Sequence, residues 1–494
     1  MQTDQQSWLS SRATAEMELN TGLLAEVLRE YRASKKMSQA DLAQMLNLDQ
    51  SYVSKIENEQ RQVRDLDVLL RIATTLDVAP SRLGISNALL QPVSAPENSV
   101  LVGHVDPVQV SQAEWMRSRR DLNRRRGDLA RAASELYRTE ARIGKVPFIA
   151  QSRWITSGPV PLENIELKWS DSVEAMAVTG SEPEADPVLP LRAAGRRFDR
   201  YTTAIRYLDP PKLFENRSSY RLLDVDLTES KGSMTFGLAT YFDKLDLSEA
   251  IAHELAVAPS AQGRKAEAKW EELPLRSLIG DPFHLHRRAL IPAIETLTLR
   301  RETKTGDATF LLHWRDPEKV ATAAGIYGLI PAGEFQPSTV ATHDRENDFN
   351  LWRNMVREYS EEVLGEPERD GSQAEPLDYE NWEFYKELEK ARAAGKVAPY
   401  CLGVGLDTLT LTATILTVVV FDDDVFDRLF GDAVSINAEG SLVSAADSTK
   451  VTDGLPFTEE TVRRLLTDEP MASPGACILD RAWRFRDKLL GGRD

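Results

Sequence analysis

Two stretches of this 494-residue chain group side chains that could do chemistry. Between Ser38 and Arg61, the residues Gln39, Gln50, Ser51, Ser54, Lys55, Asn58 and Arg61 supply amides, hydroxyls and cations. Glutamine and asparagine can bond an adenine edge twice, while serine, lysine and arginine reach base edges or phosphates. Further along, Arg357-Glu358-Tyr359-Ser360-Glu361-Glu362 brings three carboxylates together. Such carboxylates repel one another unless a cation or an arginine answers them, and Mg²⁺ takes hard oxygen ligands that it shares with substrate phosphates.

The first set needs two short helices to position it. Ser38 can cap a helix whose first turn carries Asp41 and whose inner face is Leu42, Ala43 and Leu46. Asn47-Leu48-Asp49 breaks the period, and a second helix follows with Tyr52, Val53 and Ile56 inside and the polar set outside. A helix over Leu23–Ala33 precedes the pair, and helical patterns over Leu66–Leu76 and at Ser81–Gly84 follow it. Together they predict a small all-α bundle.

At these residues, over 20–86, the chain resembles the phage-repressor type of helix-turn-helix, the lambda-repressor/Cro or XRE family. The shared features are Ser38-Gln39, Ala43, Leu48, Val53-Ser54, Ile56-Glu57 and Leu69-x-x-Ile72-Ala73-x-x-Leu76. The resemblance implies a DNA-binding headpiece that needs no cofactor, with the second helix of the pair in the major groove of an operator. An amphipathic bundle serving as an interaction module is the plainer alternative.

Charge restricts how DNA could be held. Lysine and arginine total 60 against 77 aspartates and glutamates, for a net charge of -17, the wrong sign for wrapping nucleic acid nonspecifically. Affinity must be local, and Arg29, Arg32, Lys35, Lys36, Lys55, Arg61 and Arg64 surround the two-helix unit as candidate phosphate partners.

The headpiece uses a small part of a chain long enough for several domains. Residues 87–111, including Gln91-Pro-Val-Ser-Ala-Pro-Glu-Asn-Ser99, read as a linker, and 112–147 as a long basic helix. In that helix Trp115, Leu122, Leu129 and Leu136 recur at heptad spacing, which predicts a dimerising or packing helix. Its Arg117, Arg119, Arg120, Arg124, Arg125 and Arg126 read first as a solvated face, with DNA or a phosphorylated ligand as the other option. Residues 148–285 suggest a mixed α/β domain, in which His253-Glu254 is a core or surface pair. Two cysteines and six histidines give neither a disulfide framework nor metal-ligand spacing. The most apolar stretch, Leu402–Phe421, alternates like strands and is broken by Asp407, so the expectation is a soluble, cytoplasmic, nucleoid-associated protein with no membrane partner.

The carboxylate set falls in 286–494. Three strands over 291–299, 308–314 and 325–330 lead through a loop to a helix over 350–365, whose buried stripe is Trp352, Met355, Val356, Tyr359 and Val363. Here the chain resembles the Nudix family of hydrolases through Arg357-Glu358-x-x-Glu361-Glu362. That resemblance implies an α/β/α fold in which Arg357 orients the glutamates and Glu358, Glu361 and Glu362 hold Mg²⁺. The chain departs from the family's spacing. Phe349 stands where the motif's first glutamate belongs, Gly333 lies too far upstream unless the loop carries an insertion, and Leu364 precedes Gly365 where a glycine is expected. A solvent-facing helix with an Arg357–Glu361 pair is one alternative, and a pocket kept for binding a nucleotide-like ligand is another. Asp422-Asp423-Asp424, directly after a strand, reads as a helix start rather than a metal cluster.

The sequence therefore predicts a multidomain protein, with an all-α helix-turn-helix headpiece followed by an α/β (α+β) body ending in a Nudix-like domain. The expected function is sequence-specific regulation of transcription through double-stranded DNA, as a homodimer, with the body sensing a nucleotide-like ligand or mediating assembly. An Mg²⁺-dependent pyrophosphohydrolase with an accessory headpiece is the alternative.

Overall fold

A computed structural model describes 22–46, 50–58, 72, 73, 75, 76, 78 and 82, and then 106–491 except 212–213, 229–230, 264, 316–325, 370–374, 432–439 and 444–453. The chain divides into two compact units, Met1–His104 and Val105–Asp494. Of the linker read over 87–111, residues 87–105 lie outside the described residues, as do Arg61, Arg64 and most of the pattern over Leu66–Leu76.

The first unit holds helices α1 (Gly22–Lys35), α2 (Gln39–Leu46) and α3 (Gln50–Glu57). Lys36, at φ 54°, closes α1 in the left-handed region, with the Met37 N–H bonded to the Arg32 carbonyl at 3.0 Å. The core joins Leu24, Val27 and Leu28 of α1, Leu42, Ala43 and Leu46 of α2, Val53 and Ile56 of α3, and Ile72, Ala73 and Leu76. The expected inner faces of α2 and α3 are thus the buried ones where their side chains are described.

The second unit opens with α4 (Pro107–Ser134), β1 (Phe148–Ile149), β2 (Ile155–Pro161), β3 (Ile165–Trp169), β4 (Leu191–Ala193), β5 (Arg196–Arg197) and α5 (Tyr201–Leu208). It continues through β6 (Ser218–Asp226), β7 (Gly232–Thr240), α6 (Tyr241–Val257), α7 (Pro274–Ile279), β8 (Ala293–Arg301), β9 (Ala308–Phe310), β10 (Leu312–Arg315), β11 (Tyr327–Leu329) and β12 (Ala332–Glu334). Then come α8 (Thr342–Asn347), α9 (Leu351–Glu358), α10 (Glu383–Ala393), β13 (Val397–Asp407), β14 (Ala413–Asp422) and α11 (Asp423–Phe430). The last elements are β15 (Gly440–Val443), β16 (Leu455–Pro456), α12 (Glu459–Thr467), α13 (Ser473–Arg484) and α14 (Arg486–Leu490).

A mixed sheet organises this unit. β13 pairs antiparallel with β14, and β14 runs parallel to β8 from Thr414↔Ala293 to Asp422↔Arg301. The far edge of β8 is shared by β12 near its start and β9 near its end, while β1 and β2 pair with β13. The apolar run over 402–421 is therefore two strands, and its near-continuous hydrophobicity follows from burial on both faces. Leu416, Val418 and Val420 pack with Cys477, Ile478 and Leu479 of α13. Ile415, Val419 and Phe421 join the core of Trp352, Met355, Val356 and Tyr359 on the other side. Asp423 and Asp424 occupy the first turn of α11, as a helix start requires.

The heptad residues of α4 are occupied within the chain. Trp115 packs on Tyr201 and His253, its Nε1 donating to the Val188 carbonyl at 3.1 Å, while Leu122 and Leu129 meet Ala252 and Leu255 of α6. Of the two roles expected for this helix, packing is the one seen, since the apolar stripe has its partner within the chain. The helix also runs from Pro107 to Ser134 rather than over 112–147, and so takes in the end of the segment read as a linker.

Candidate nucleic-acid interface

The α2–α3 pair is fixed by two polar devices. At the start of α2, the Ser38 N–H and hydroxyl donate to Asp41 Oδ2 at 2.9 and 2.8 Å, and the Asp41 N–H donates back to Ser38 Oγ at 3.2 Å. This reciprocal cap satisfies amides that a helix start leaves without partners.

The second device is Glu57 at the end of α3. Its buried carboxylate accepts from Arg32 Nε at 2.9 Å, Arg32 Nη2 at 3.1 Å and Gln39 Nε2 at 2.7 Å, tying the three helices together. Burial alone would raise the Glu57 pKa. The hydrogen bonds from Arg32 and Gln39 outweigh that penalty and hold it below the ordinary glutamate value.

These contacts revise the sequence assignments. Arg32, expected on phosphate, belongs to the interior ion pair. Gln39, expected at DNA, points its amide at Glu57. Nothing in the period of apolar residues marked Glu57 as buried; the available signal was its place one residue after Ile56, at the junction of the helices.

The outer face of α3 keeps the expected polar character where its side chains are described. Lys55 and Asn58 are exposed and Ser54 is half-buried, with Asn58 Nδ2 3.4 Å from Ser54 Oγ. Gln50 and Ser51 lie on the same helix, and their side chains are outside the described residues, as is Arg61. Arg29, Lys35 and Lys36 add exposed cations near the end of α1. The unit therefore presents a short helix whose inner side is locked by Val53, Ile56 and Glu57 and whose outer side offers hydrogen-bonding groups and positive charge.

The carboxylate helix behaves differently. After Glu358, α9 loosens into a π-turn over Tyr359–Val363. Glu362 turns inward, its Oε2 accepting the Ala332 N–H at 2.8 Å, and Glu361 is exposed. The carboxylate end of Glu358 lies against Gly333 of β12, so that a side chain there would have to displace it. Arg357 reaches away from Glu361, donating to the Gln336 carbonyl at 2.7 Å and Asn354 Oδ1 at 3.1 Å. The Arg357–Glu361 pairing is thereby corrected. Glu358 and Glu362 thus both reach β12, at Gly333 and Ala332, while Glu361 is exposed, and among the described residues no group of three or more histidine, cysteine, aspartate or glutamate side chains could hold a metal ion. His253, by contrast, is a core residue, its Nδ1 2.8 Å from the Tyr201 hydroxyl.

Residues 28–83 match the family model described as Helix-turn-helix. No curated protein matches the chain. The chain thus carries an XRE-type helix-turn-helix followed by a mixed α/β body, and no described helix is long and apolar enough to cross a membrane.

Proposed function

We propose that this chain is a sequence-specific regulator of transcription that places α3 in the major groove of double-stranded DNA. The reading rests on one observation: within a segment matching the helix-turn-helix family, α3 buries Val53, Ile56 and Glu57 and turns Ser54, Lys55 and Asn58 outward. Gln50 and Ser51 then read base edges together with Ser54, while Lys55, Asn58 and Arg61 meet phosphates or bases. Selection of duplexes from a random pool by the full chain tests this. The expected result is enrichment of one motif; a pool that stays random contradicts the reading.

The body is proposed to bind a small polar, nucleotide-like ligand and to couple it to DNA affinity, which requires the ligand to bind the competent and incompetent states unequally. Support comes from a concentration of buried polar atoms without a hydrogen-bond partner around 334–357: Glu334 Oε2, Ser338 Oγ, Asp344 Oδ1, Asn354 Nδ2 and Arg357 Nε. Polar groups so placed are costly unless water or a ligand answers them. Thermal denaturation of the full chain with a panel of nucleotides tests this; a panel without any shift in midpoint contradicts it. Homodimer formation belongs to the same proposal, and light scattering of the full chain decides it.

The Nudix-like alternative is favoured by the contact of Gly333 with Glu358, which an insertion in the motif loop would produce. Hydrolysis through Mg²⁺ needs carboxylates that converge on the ion, and Glu358, Glu361 and Glu362 as placed do not fit it. Incubation with nucleoside-diphosphate derivatives and Mg²⁺ distinguishes the readings, since the regulator releases no phosphate.

A further inference from the structure

The body carries positive charge that no described carboxylate neutralises. The hairpin β4–β5 pairs Leu191 with Arg197 and Ala193 with Arg196, and turns through Ala194 and Gly195, the latter at φ 69°. Arg192, Arg196 and Arg197 are all exposed. The Arg192 guanidinium lies 5.9 Å from the Phe198 ring centroid and Arg197 donates to the Leu189 carbonyl, yet none of the three makes an ion pair with a described carboxylate.

Such a cluster stands out in a chain of net charge -17. Several exposed arginines elsewhere in the body have acids beside them: Arg117 with Glu114, Arg124 with Asp121, Arg131 with Asp128 and Arg484 with Asp480. Even Arg200, three residues past the hairpin, is paired with Asp246 at 3.1 Å. The ribbon is also held rigidly. The Leu191 N–H donates to Ser111 Oγ at 2.9 Å and Gln112 Nε2 donates to the Leu191 carbonyl at 2.9 Å, fixing the base of the hairpin to α4. Its tip, Ala193-Ala194-Gly195, is made of small residues that let the arginines on either side approach a flat or grooved surface.

We propose that the β4–β5 hairpin is a second DNA contact, in which Arg192, Arg196 and Arg197 bind phosphates outside the base pairs read by α3. A polyanion answers three uncompensated guanidiniums, and arginines on a slender ribbon suit a backbone or a minor groove. This rests on the proposal that the chain binds DNA through α3, and the experiment separates the two. The full chain is titrated with two duplexes carrying its selected motif, one barely longer than the motif and one extended on both sides, across a range of salt concentrations.

The wild type should bind the extended duplex with the steeper salt dependence. In the variant Arg192→Ala/Arg196→Ala/Arg197→Ala the slope on the extended duplex should fall by about 2 to 3, near ~0.9 for each phosphate no longer neutralised, while the short duplex is bound as before. A second measurement keeps the wild-type arginines: Ala194→Cys, which is exposed while Cys401 and Cys477 are buried, is tethered to an iron chelate that cleaves nearby DNA. Cleavage outside the motif is expected. Equal slopes in the folded variant, or no cleavage from the tether, would overturn the proposal and leave an acidic protein surface as the hairpin's partner. Loss of binding to both duplexes by the wild type would instead defeat the α3 reading.

Discussion

Replacing Glu57 by alanine removes the acceptor for three hydrogen bonds at once, two from Arg32 and one from Gln39. The Glu57 side chain is 3% exposed and that of Arg32 is 31% exposed, so water relieves the guanidinium left behind but does not replace the link between helices. A fully buried charge stripped of its partner costs about 3 to 5 kcal/mol. Partial exposure of Arg32 lowers this, and about 2 to 3 kcal/mol is the expected loss when charge-assisted hydrogen bonds contribute about 1.5 to 3 kcal/mol and surface pairs much less. A headpiece of this size has only several kcal/mol of stability, so its melting midpoint should fall by roughly 10 to 20 °C. Hydrogen exchange of peptides over 24–57 in the full chain reads this unit apart from the body. Glu57→Ala should speed exchange throughout them, and the double variant with Arg32→Ala should be less destabilised than the sum of the singles. A loss below about 0.5 kcal/mol, the level of an ordinary surface substitution, would refute the assignment of Glu57 as the tie between α1, α2 and α3.

The depressed Glu57 pKa has a definite sign: it contributes stability above the unfolded glutamate value near ~4.3, lost as pH falls through the lower folded value, so headpiece exchange should quicken only in acid. In the body, burial and the nearby Arg119 push His253 down to about 4. Its contribution, on the order of 3 kcal/mol, is therefore present above the free histidine value near ~6.5 and lost as pH falls from there to about 4, and His253→Asn should flatten body melting across that window. Gly333→Ala should push the flexible carboxylate end of Glu358 aside and change body stability by less than about 1 kcal/mol in chemical denaturation. Trp115→Ala should cost about 3 to 5 kcal/mol in the same assay without changing the mass of the particle in light scattering, because its ring packs on Tyr201 and His253 within the chain.

The headpiece was legible because its information is local. A period of 3.6 residues placed Leu42, Ala43, Leu46, Val53 and Ile56 inside, and the Ser38–Asp41 spacing marked the cap. The inward use of Gln39 and Arg32 was not legible, since a polar residue joins an interior through partners distant in sequence. Strands β13 and β14 could be recognised from their apolar run, rich in β-branched residues. Their neighbours could not, because β1 and β2 join β13 across more than two hundred residues and β8 lies parallel to β14.

Helix α4 shows how a correct pattern leaves its partner open. Heptad spacing shows that a helix buries a stripe, but not against what. The partner, α6, hides its own fitness for the role, because it is buried nearly all round and carries Asp246, Glu249, His253 and Glu254 inside. Those charges are answered by other elements: Arg119 and Arg126 of α4 bind Glu249, and the Leu275 and Arg276 amides bind Glu254. The arginine run that read as a solvated face is accordingly split, with Arg119 in the core and Arg117, Arg120 and Arg124 in water. At the carboxylate helix, the RExxEE spacing was plain, but the π-turn after Glu358 that sends Glu361 and Glu362 to different environments is a tertiary outcome.

The central claim, that α3 reads base sequence, is tested most directly by competition between the selected duplex and a scrambled one for the full chain. The wild type should prefer the selected duplex by about 10³ or more at physiological salt. Gln50→Ala with Ser54→Ala should reduce that preference by at least about tenfold, each bond to a base edge being worth about 1 to 3 kcal/mol, while binding to the scrambled duplex is retained. A preference unchanged in the double variant would contradict the account.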